Sequence, residues 1–245
     1  MAKLVGDLKF RGTIGDITCC KTKDGFIVRK KREPKAITDD RTKENMREFA
    51  RAISGASMIR NTFAAIIGDI NDYYFGRRLN SQMIKVVKSD AVNLRGFRNI
   101  SEGGIGLLHG FELNSDKSLC NAFKGQFLAS IDRSSGLMKV DFPTLITASL
   151  ISKPEGASHF RLCITGASID FNTGNRLVEQ KEGEYLPISN EGQIVSSLEV
   201  QLLPGSTASL ILSLGICFYQ EVNGKYHLLG NGHYNAAAFV AVSRS

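Results

Sequence analysis

The sequence predicts an α+β protein in which an N-terminal β-hairpin and a two-helix segment precede an antiparallel β-sandwich of immunoglobulin-like or jelly-roll type. Three patterns support this class: two short apolar runs around a turn near the N-terminus, apolar residues at helical spacing between residues 40 and 90, and many short apolar runs separated by turn residues after residue 106. We place a domain boundary between residues 104 and 105. It divides a basic N-terminal part (1–104) from a β-sandwich domain (105–245) that we expect to fold by itself.

The N-terminal hairpin is predicted at residues 12–32. Asp24-Gly25 is its expected turn, because glycine tolerates the positive φ that tight hairpin turns require. A two-stranded ribbon is marginally stable alone, so it needs its own domain, another copy or a polyanion to pack on. The first strand carries Ile14, Ile17, Cys19 and Cys20, and the second carries Phe26, Ile27 and Val28.

Two helices are predicted next. Asp39 and Asp40 mark the start of the first helix, because acids there complement the helix dipole and cap free N–H groups. A natural stop follows at Gly68, and the second helix is expected over 72–90. The expected core stripe of the first helix contains Met46, Phe49, Ile53, Ala56, Ile59, Phe63, Ile66 and Ile67.

The remaining chain is expected to be mostly strand. Asn223-Gly224 lies between two apolar runs and gives the clearest hairpin signal in the sequence. The last predicted strand is expected to break into two near Gly230–Gly232. The predicted strands are 107–113, 123–132, 137–141, 144–152, 159–171, 192–203, 208–221 and 225–242.

The charge is distributed unevenly along the chain, which carries a formal net charge of +7. Residues 1–100 hold 21 Lys/Arg and 11 Asp/Glu, a balance of +10, whereas residues 101–245 hold 10 and 13, a balance of −3. Within residues 1–35, ten basic side chains face four acidic ones. Such a basic part fits a polyanion such as nucleic acid, electrostatic complementarity between neighbouring copies, or a solvated surface.

No residue pattern in the sequence predicts catalysis. The five cysteines show no CxxC spacing, and the four histidines have no partner at a metal-ligand spacing such as HExxH. No GxSxG elbow and no phosphate-binding glycine loop is present. We therefore expect a protein that is not an enzyme, with no catalytic residues, no cofactor and no metal.

The expected location is also inferred from apolar runs. None reaches the roughly 18–20 residues that span a bilayer, and the first residues contain no apolar signal-peptide core. We expect no membrane span. A cytoplasmic location is favoured over export without a cleavable signal peptide.

Two stretches of the sequence resemble a known group of proteins. Gly-Thr-Ile-Gly-Asp-Ile-Thr-x-x-Lys-Thr-Lys-Asp-Gly-Phe-Ile-Val-Arg-Lys-Lys (12–31), followed by Arg-Thr-Lys-Glu-Asn-Met-Arg-Glu-Phe (41–49), resembles the start of a group of Bacteroidota proteins that has no assigned activity. The resemblance covers roughly the first 115 residues, and this chain departs from it at Cys19-Cys20, where the group has an aromatic residue. It implies a compact non-enzymatic protein with a β-rich C-terminal domain, and it supplies no functional residues.

Two functions compete on this sequence. In the first, a structural protein self-assembles with other copies of itself into a filament, tube or shell through its N-terminal hairpin arm (residues 1–35). In the second, the basic N-terminal half binds nucleic acid or another polyanion. The expected assembly interface is Ile14, Ile17, Phe26, Ile27 and Val28, and the expected basic contacts are Lys21, Lys23, Arg29, Lys30, Lys31 and Arg32.

Overall fold

The computed structural model describes residues 2–3 (backbone only), 11–22, 25–31, 39–70, 72–143, 146, 148–191 and 197–244. These residues form two compact units, Met1–Thr42 and Lys43–Ser245. The predicted boundary at 104/105 falls inside the second unit.

The described residues form thirteen strands and four α-helices. The first unit contains β1 (Ala2–Lys3), β2 (Gly12–Ile14), β3 (Ile17–Thr22) and β4 (Gly25–Lys30). The helices are α1 (Asp40–Thr62), α2 (Ala64–Gly68), α3 (Phe75–Lys88) and α4 (Leu119–Ala122). The other strands are β5 (Leu128–Asp132), β6 (Leu137–Asp141), β7 (His159–Ile169), β8 (Arg176–Glu182), β9 (Leu186–Pro187), β10 (Leu198–Gln201), β11 (Ser209–Val222), β12 (Lys225–Leu228) and β13 (Ala236–Ser243).

The first unit is an antiparallel sheet of order β1-β4-β3-β2, here called the arm sheet. The prediction that Ile14 and Ile17 share one strand is wrong, because Gly15-Asp16 forms a turn between β2 and β3. Gly15 has φ +55°, as the first central position of a type II′ turn requires. Gly25 lies in β4, paired with Thr22, and Asp24 lies outside the described residues.

The second unit is built around the long antiparallel pair β7 and β11, which are in register over eleven residues. On its other side β11 pairs with β13 along its first half and with β12 near its end. β8 and β9 share the other side of β7. A separate three-stranded antiparallel sheet has the order β10-β6-β5.

Two hydrophobic clusters cover the two faces of the six-stranded sheet. The first joins α1, α2 and α3 to one face, so these helices and the sheet share a core. The second joins the opposite face to the three-stranded sheet. Because both faces are covered, β7 and β11 are almost continuously buried. The first cluster includes Ala52, Ala56, Ile59, Leu79, Met83, Ala167, Ile211 and Phe239, and the second includes Met138, Val140, Val200, Leu162, Leu212, Leu214 and Phe218.

The structure corrects the predicted core stripe of α1 at its N-terminal end. Met46 and Phe49 are exposed, whereas Glu48 and Ala52 are buried. The reason is a polar contact: Glu48 Oε1 accepts a hydrogen bond from the Gly96 N–H (2.8 Å), which seats the 94–98 loop on that face of the helix. The expected start is confirmed, since Asp39 Oδ2 accepts a bond from the Thr42 N–H at 2.8 Å.

Several predicted strands are also corrected. The strand expected at 107–113 does not form: a 3-10 helix, Ile105–Leu108, and a turn occupy its first part, and Glu112 makes an isolated β-bridge to Ala238. Ala148–Leu150 is likewise a 3-10 helix within the strand expected at 144–152, part of which lies outside the described residues. The expected break near Gly230 is confirmed by the 3-10 helix Leu229–Gly232. The sequence did not predict β8 and β9.

Buried Asn235 ties distant segments of the second unit together. Its Oδ1 accepts the Phe218 N–H (3.0 Å), and its Nδ2 donates to the Asp69 carbonyl (2.7 Å). Its own carbonyl accepts a bond from Asn114 Nδ2 (2.8 Å).

The predicted class, α+β with antiparallel sheets, is confirmed. Among the described residues, none of the helices has the length and apolar content that a bilayer crossing requires.

Candidate assembly surface

The arm sheet sorts the predicted interface residues by face. Residues directly opposite each other in an antiparallel ladder point to the same side of the sheet, and neighbours along a strand point to opposite sides. The register pairs Ile14 with Ile17 and Cys19 with Val28, so these four side chains share one face. Phe26 lies two residues before Val28 and joins them, whereas Ile27 points to the opposite face.

The shared face is apolar and only partly covered. Cys19 is buried and Phe26 and Val28 are half-buried. Ile14 is 66% exposed and Ile17 is 48% exposed, so both β-branched side chains remain largely in contact with water. This apolar face of the arm sheet is the candidate assembly surface.

The expected basic contacts do not form one surface. Lys21 and Lys30 lie on the apolar face, because they pair with Phe26 and Ile17. Arg29 pairs with Thr18 on the opposite face. Lys31 follows the strand, and its N–H donates to the Asp16 carbonyl (2.6 Å). Lys23 and Arg32 lie outside the described residues.

A second exposed apolar set lies on the 92–98 loop and on α1, which that loop contacts. Arg51 Nη1 donates to the carbonyls of Gly96 and Arg98 (2.8 and 3.0 Å) and fixes the loop against the helix. Phe97 is 62% exposed on this loop. Val92, Leu94, Met46 and Phe49 are exposed as well. The sequence analysis assigned the helix residues Met46 and Phe49 to the core.

The main surface that sequence reasoning missed is β8. Its seven residues are mostly charged or polar and lack the apolar alternation that predicts a strand. The available signal was the turn Asn172-Thr173-Gly174 after β7, since a tight turn after a long strand indicates a returning partner. β8 lies at the edge of the six-stranded sheet, and six of its seven residues are exposed.

Arg161 fixes one end of β8. Its guanidinium lies 4.8 Å from the Tyr185 ring centroid and 5.3 Å from that of Tyr219. Arg161 Nη1 is 2.7 Å from Glu182 Oε2. Burial raises the pKa of the Tyr219 hydroxyl. Because it pairs with Arg161, the Glu182 carboxylate is already held by a structural contact.

An apolar groove of about 400 Å³ in the second unit is lined by a histidine, a carboxylate and a thiol. It is lined by Leu119, Phe127 and Phe239 together with His109, Glu112 and Cys120. Burial raises the pKa of Glu112, although the Leu119 N–H donates to its Oε2 (2.9 Å) and opposes the shift. Cys120 Sγ lies 3.7 Å from Ser118 Oγ. Local contacts thus engage both the carboxylate and the thiol.

Comparison with known proteins adds no assignment: no protein-family model, no curated protein and no solved structure matches the chain.

Proposed function

We propose that the protein is a non-enzymatic structural protein that self-assembles into a homo-oligomer (a filament, tube or shell) through its N-terminal arm. The observation that carries the proposal is the apolar face of the arm sheet, on which Ile14 and Ile17 are 66% and 48% exposed. The body that it would join is the layered second unit, for which we retain the sandwich of immunoglobulin-like or jelly-roll type.

The composition of the arm supports a protein partner. Exposed β-branched side chains gather on one face of a small sheet, where they gain free energy by leaving water. Lys21 and Lys30 flank them and suit an acidic neighbour, and residues 101–245 carry a net charge of −3. A heterologous contact between such different surfaces builds a ring or an open filament.

The first test is deletion of residues 1–35. We expect the full chain to be a large species in light scattering and negative-stain microscopy, and the shortened chain to be a soluble monomer. A full-length protein that stays monomeric at high micromolar concentration and moderate salt would overturn the proposal.

Matched substitutions on the two faces of the arm test the surface itself. Phe26→Asp and Ile17→Asp put a charge on the apolar face and should weaken assembly. Thr18→Asp changes the net charge by the same amount as Ile17→Asp but on the opposite face, so it serves as the control. Equal effects of Ile17→Asp and Thr18→Asp would show that charge, and not the apolar face, controls assembly.

The exposed 92–98 loop favours a second function, nucleic-acid binding by the basic N-terminal half. Exposed Phe97 can stack on a base, and Arg47, Arg95 and Arg98 lie on α1 or beside Phe97 in sequence. This function predicts that affinity for duplex or single-stranded DNA falls steeply with salt, because counterions are released from phosphates. Absence of binding at low salt would exclude it.

A further inference from the structure

Two hydrogen bonds to flanking residues identify which backbone groups of the exposed strand β8 point away from β7. The Gly183 N–H donates to the Leu162 carbonyl (2.8 Å), and the Asp170 N–H donates to the Asn175 carbonyl (2.9 Å). In an antiparallel pair, hydrogen-bonded and non-hydrogen-bonded positions alternate. Both bonds therefore place the odd-numbered residues Leu177, Glu179 and Lys181 in hydrogen bonds with β7. The even-numbered residues of β8 direct their N–H and C=O groups away from β7, where the described chain places no strand.

The arm sheet has a matching edge at β2. The Lys31 N–H donates to the Asp16 carbonyl. By the same alternation, the even-numbered residues of β3 form their backbone hydrogen bonds with β4. Its odd-numbered residues, Ile17 and Cys19, therefore bond to Ile14 and Gly12. The N–H and C=O groups of Thr13 consequently point outward from the edge of the arm sheet.

We propose that β8 is the acceptor for the arm of a second copy, with Gly12–Ile14 of that copy added as a strand alongside β8. This inference rests on the proposed self-assembly and names its acceptor. Main-chain hydrogen bonds from Val178 and Gln180 to the added strand hold the two copies together. The contact joins the arm sheet of one copy to the six-stranded sheet of the next.

Side chains on β8 and on the arm sheet are complementary. Leu177 and Val178 are 45% and 44% exposed on β8. Ile14 and Ile17 are likewise exposed apolar side chains on the arm. Glu179 and Glu184 supply carboxylates outside the Arg161–Glu182 pair, and the arm supplies Arg11, Lys21 and Lys30. Because a free arm and a free β8 edge remain at opposite ends of every open assembly, the contact propagates from copy to copy.

Charged residues on an edge strand are also a common protection against unwanted pairing, and β8 carries four of them. The test must therefore separate an acceptor from a protected edge. It does so by removing a backbone donor that points outward while leaving the β7 ladder intact.

The decisive variant is Gln180→Pro in the full chain, because proline removes an outward N–H and is tolerated on edge strands. Gln180→Ala is the control, since it removes the side chain but keeps the N–H. We expect Gln180→Pro to weaken association at least about tenfold and Gln180→Ala to leave it nearly unchanged. Unchanged assembly by a folded Gln180→Pro protein would overturn the inference.

A mixing experiment distinguishes the two proposals. Gln180→Pro retains an intact arm, and Ile17→Asp retains an intact β8, so an equimolar mixture should form a complex of two copies that grows no further. If the unmodified chain is monomeric, the proposed function fails. If the unmodified chain assembles and the mixture yields no two-copy complex, only the acceptor assignment fails.

Charge reversal provides a second route if Gln180→Pro unfolds. Glu179 and Glu184 are exposed, so Glu179→Lys with Glu184→Lys should preserve the fold while weakening assembly, most strongly at low salt. Assembly unaffected by this double reversal would contradict the assignment of β8 as the acceptor.

Discussion

The arm sheet and the six-stranded sheet are both antiparallel, yet they are stabilised in different ways. Nine of the eleven residues of β7 and eleven of the fourteen of β11 are buried, because layers cover both faces. In β2, β3 and β4, Cys19 is the one buried residue. The comparison shows that the apolar pattern of a strand's sequence does not determine how deeply the strand is buried. The central strands bury their apolar side chains within the second unit, whereas the arm retains exposed apolar side chains that a partner could cover.

The largest expected effect concerns the shared core of the second unit. The sequence predicted that residues 105–245 fold by themselves, but the first hydrophobic cluster joins α1 and α3 to the sheet. Without the helices, Ala167, Ile211 and Phe239 would face water, so we expect the fragment to aggregate. Expression of the fragment with size-exclusion chromatography and thermal unfolding tests this. A soluble, cooperatively unfolding fragment would show that the sheet does not need its helical cover.

Phe239 should give the largest effect of a single side chain. It is fully buried, with its ring centroid 4.9 Å from that of Phe63 and 6.0 Å from that of Phe111. Phe239→Ala should lower the free energy of unfolding by about 3–5 kcal/mol in denaturant titrations, because it leaves a cavity. Ile17→Ala on the exposed arm should change the main transition by less than about 0.5 kcal/mol. A similar loss for both variants would erase the contrast between the two sheets.

A smaller effect is expected from Asp90, which is buried where the chain leaves α3. Burial would raise the pKa of Asp90, but hydrogen bonds from Asn93, Asn99 and Val92 outweigh it and lower the pKa from 3.8 to about 2. A lowered pKa in the folded state means that the charged form stabilises the fold above about pH 4. This contribution is lost as the pH falls through about 2.

Asp90→Asn should therefore be less stable than the unmodified protein at neutral pH, and the difference should shrink between about pH 4 and 2. Urea titrations of both proteins across this range measure the difference. A gap that is constant with pH would mean that Asp90 acts through its shape and not through its charge.

The smallest effect is expected at the turn of the arm. Gly15 has φ +55°, so Gly15→Ala should strain the β2–β3 turn by about 1 kcal/mol. Faster hydrogen exchange should follow in the arm, with no change in the melting temperature of the second unit. An equal loss of protection in β7 or β11 would show that the two units unfold together.

Much of the fold could be predicted from local signals. β6 was predicted at 137–141 and is found at Leu137–Asp141. Asn223 and Gly224 have φ values of 52° and 73°, as the predicted tight hairpin turn requires. Strongly periodic segments and asparagine-glycine turns carry their own structural information, so they were found without knowledge of tertiary contacts.

Features decided by tertiary contacts were missed. Met46 and Phe49 match a helical stripe, but the 94–98 loop packs on the Glu48 side of α1 and leaves both side chains exposed. β8 is a strand because it forms backbone hydrogen bonds with β7. Its polar sequence contains no apolar alternation that would have predicted it. The residues of the candidate surface were predicted, but their division between two faces required the register of the arm sheet. That register pairs Ile27 with Cys20 and so places it on the other face from Ile17.

The position of Asn235 also bears on the order in which the chain can fold. Its side chain binds the Asp69 carbonyl across 166 residues, and β13, which follows it, pairs with β11 and packs Phe239 against Phe63 only after residues 236–243 have been made. On the ribosome, the apolar sides of α1 and α3 therefore remain incompletely covered until β13 is made, whereas the two-residue turn of β2 and β3 can close at once. The period between synthesis of the helices and synthesis of β13 is when the nascent chain most needs protection by chaperones.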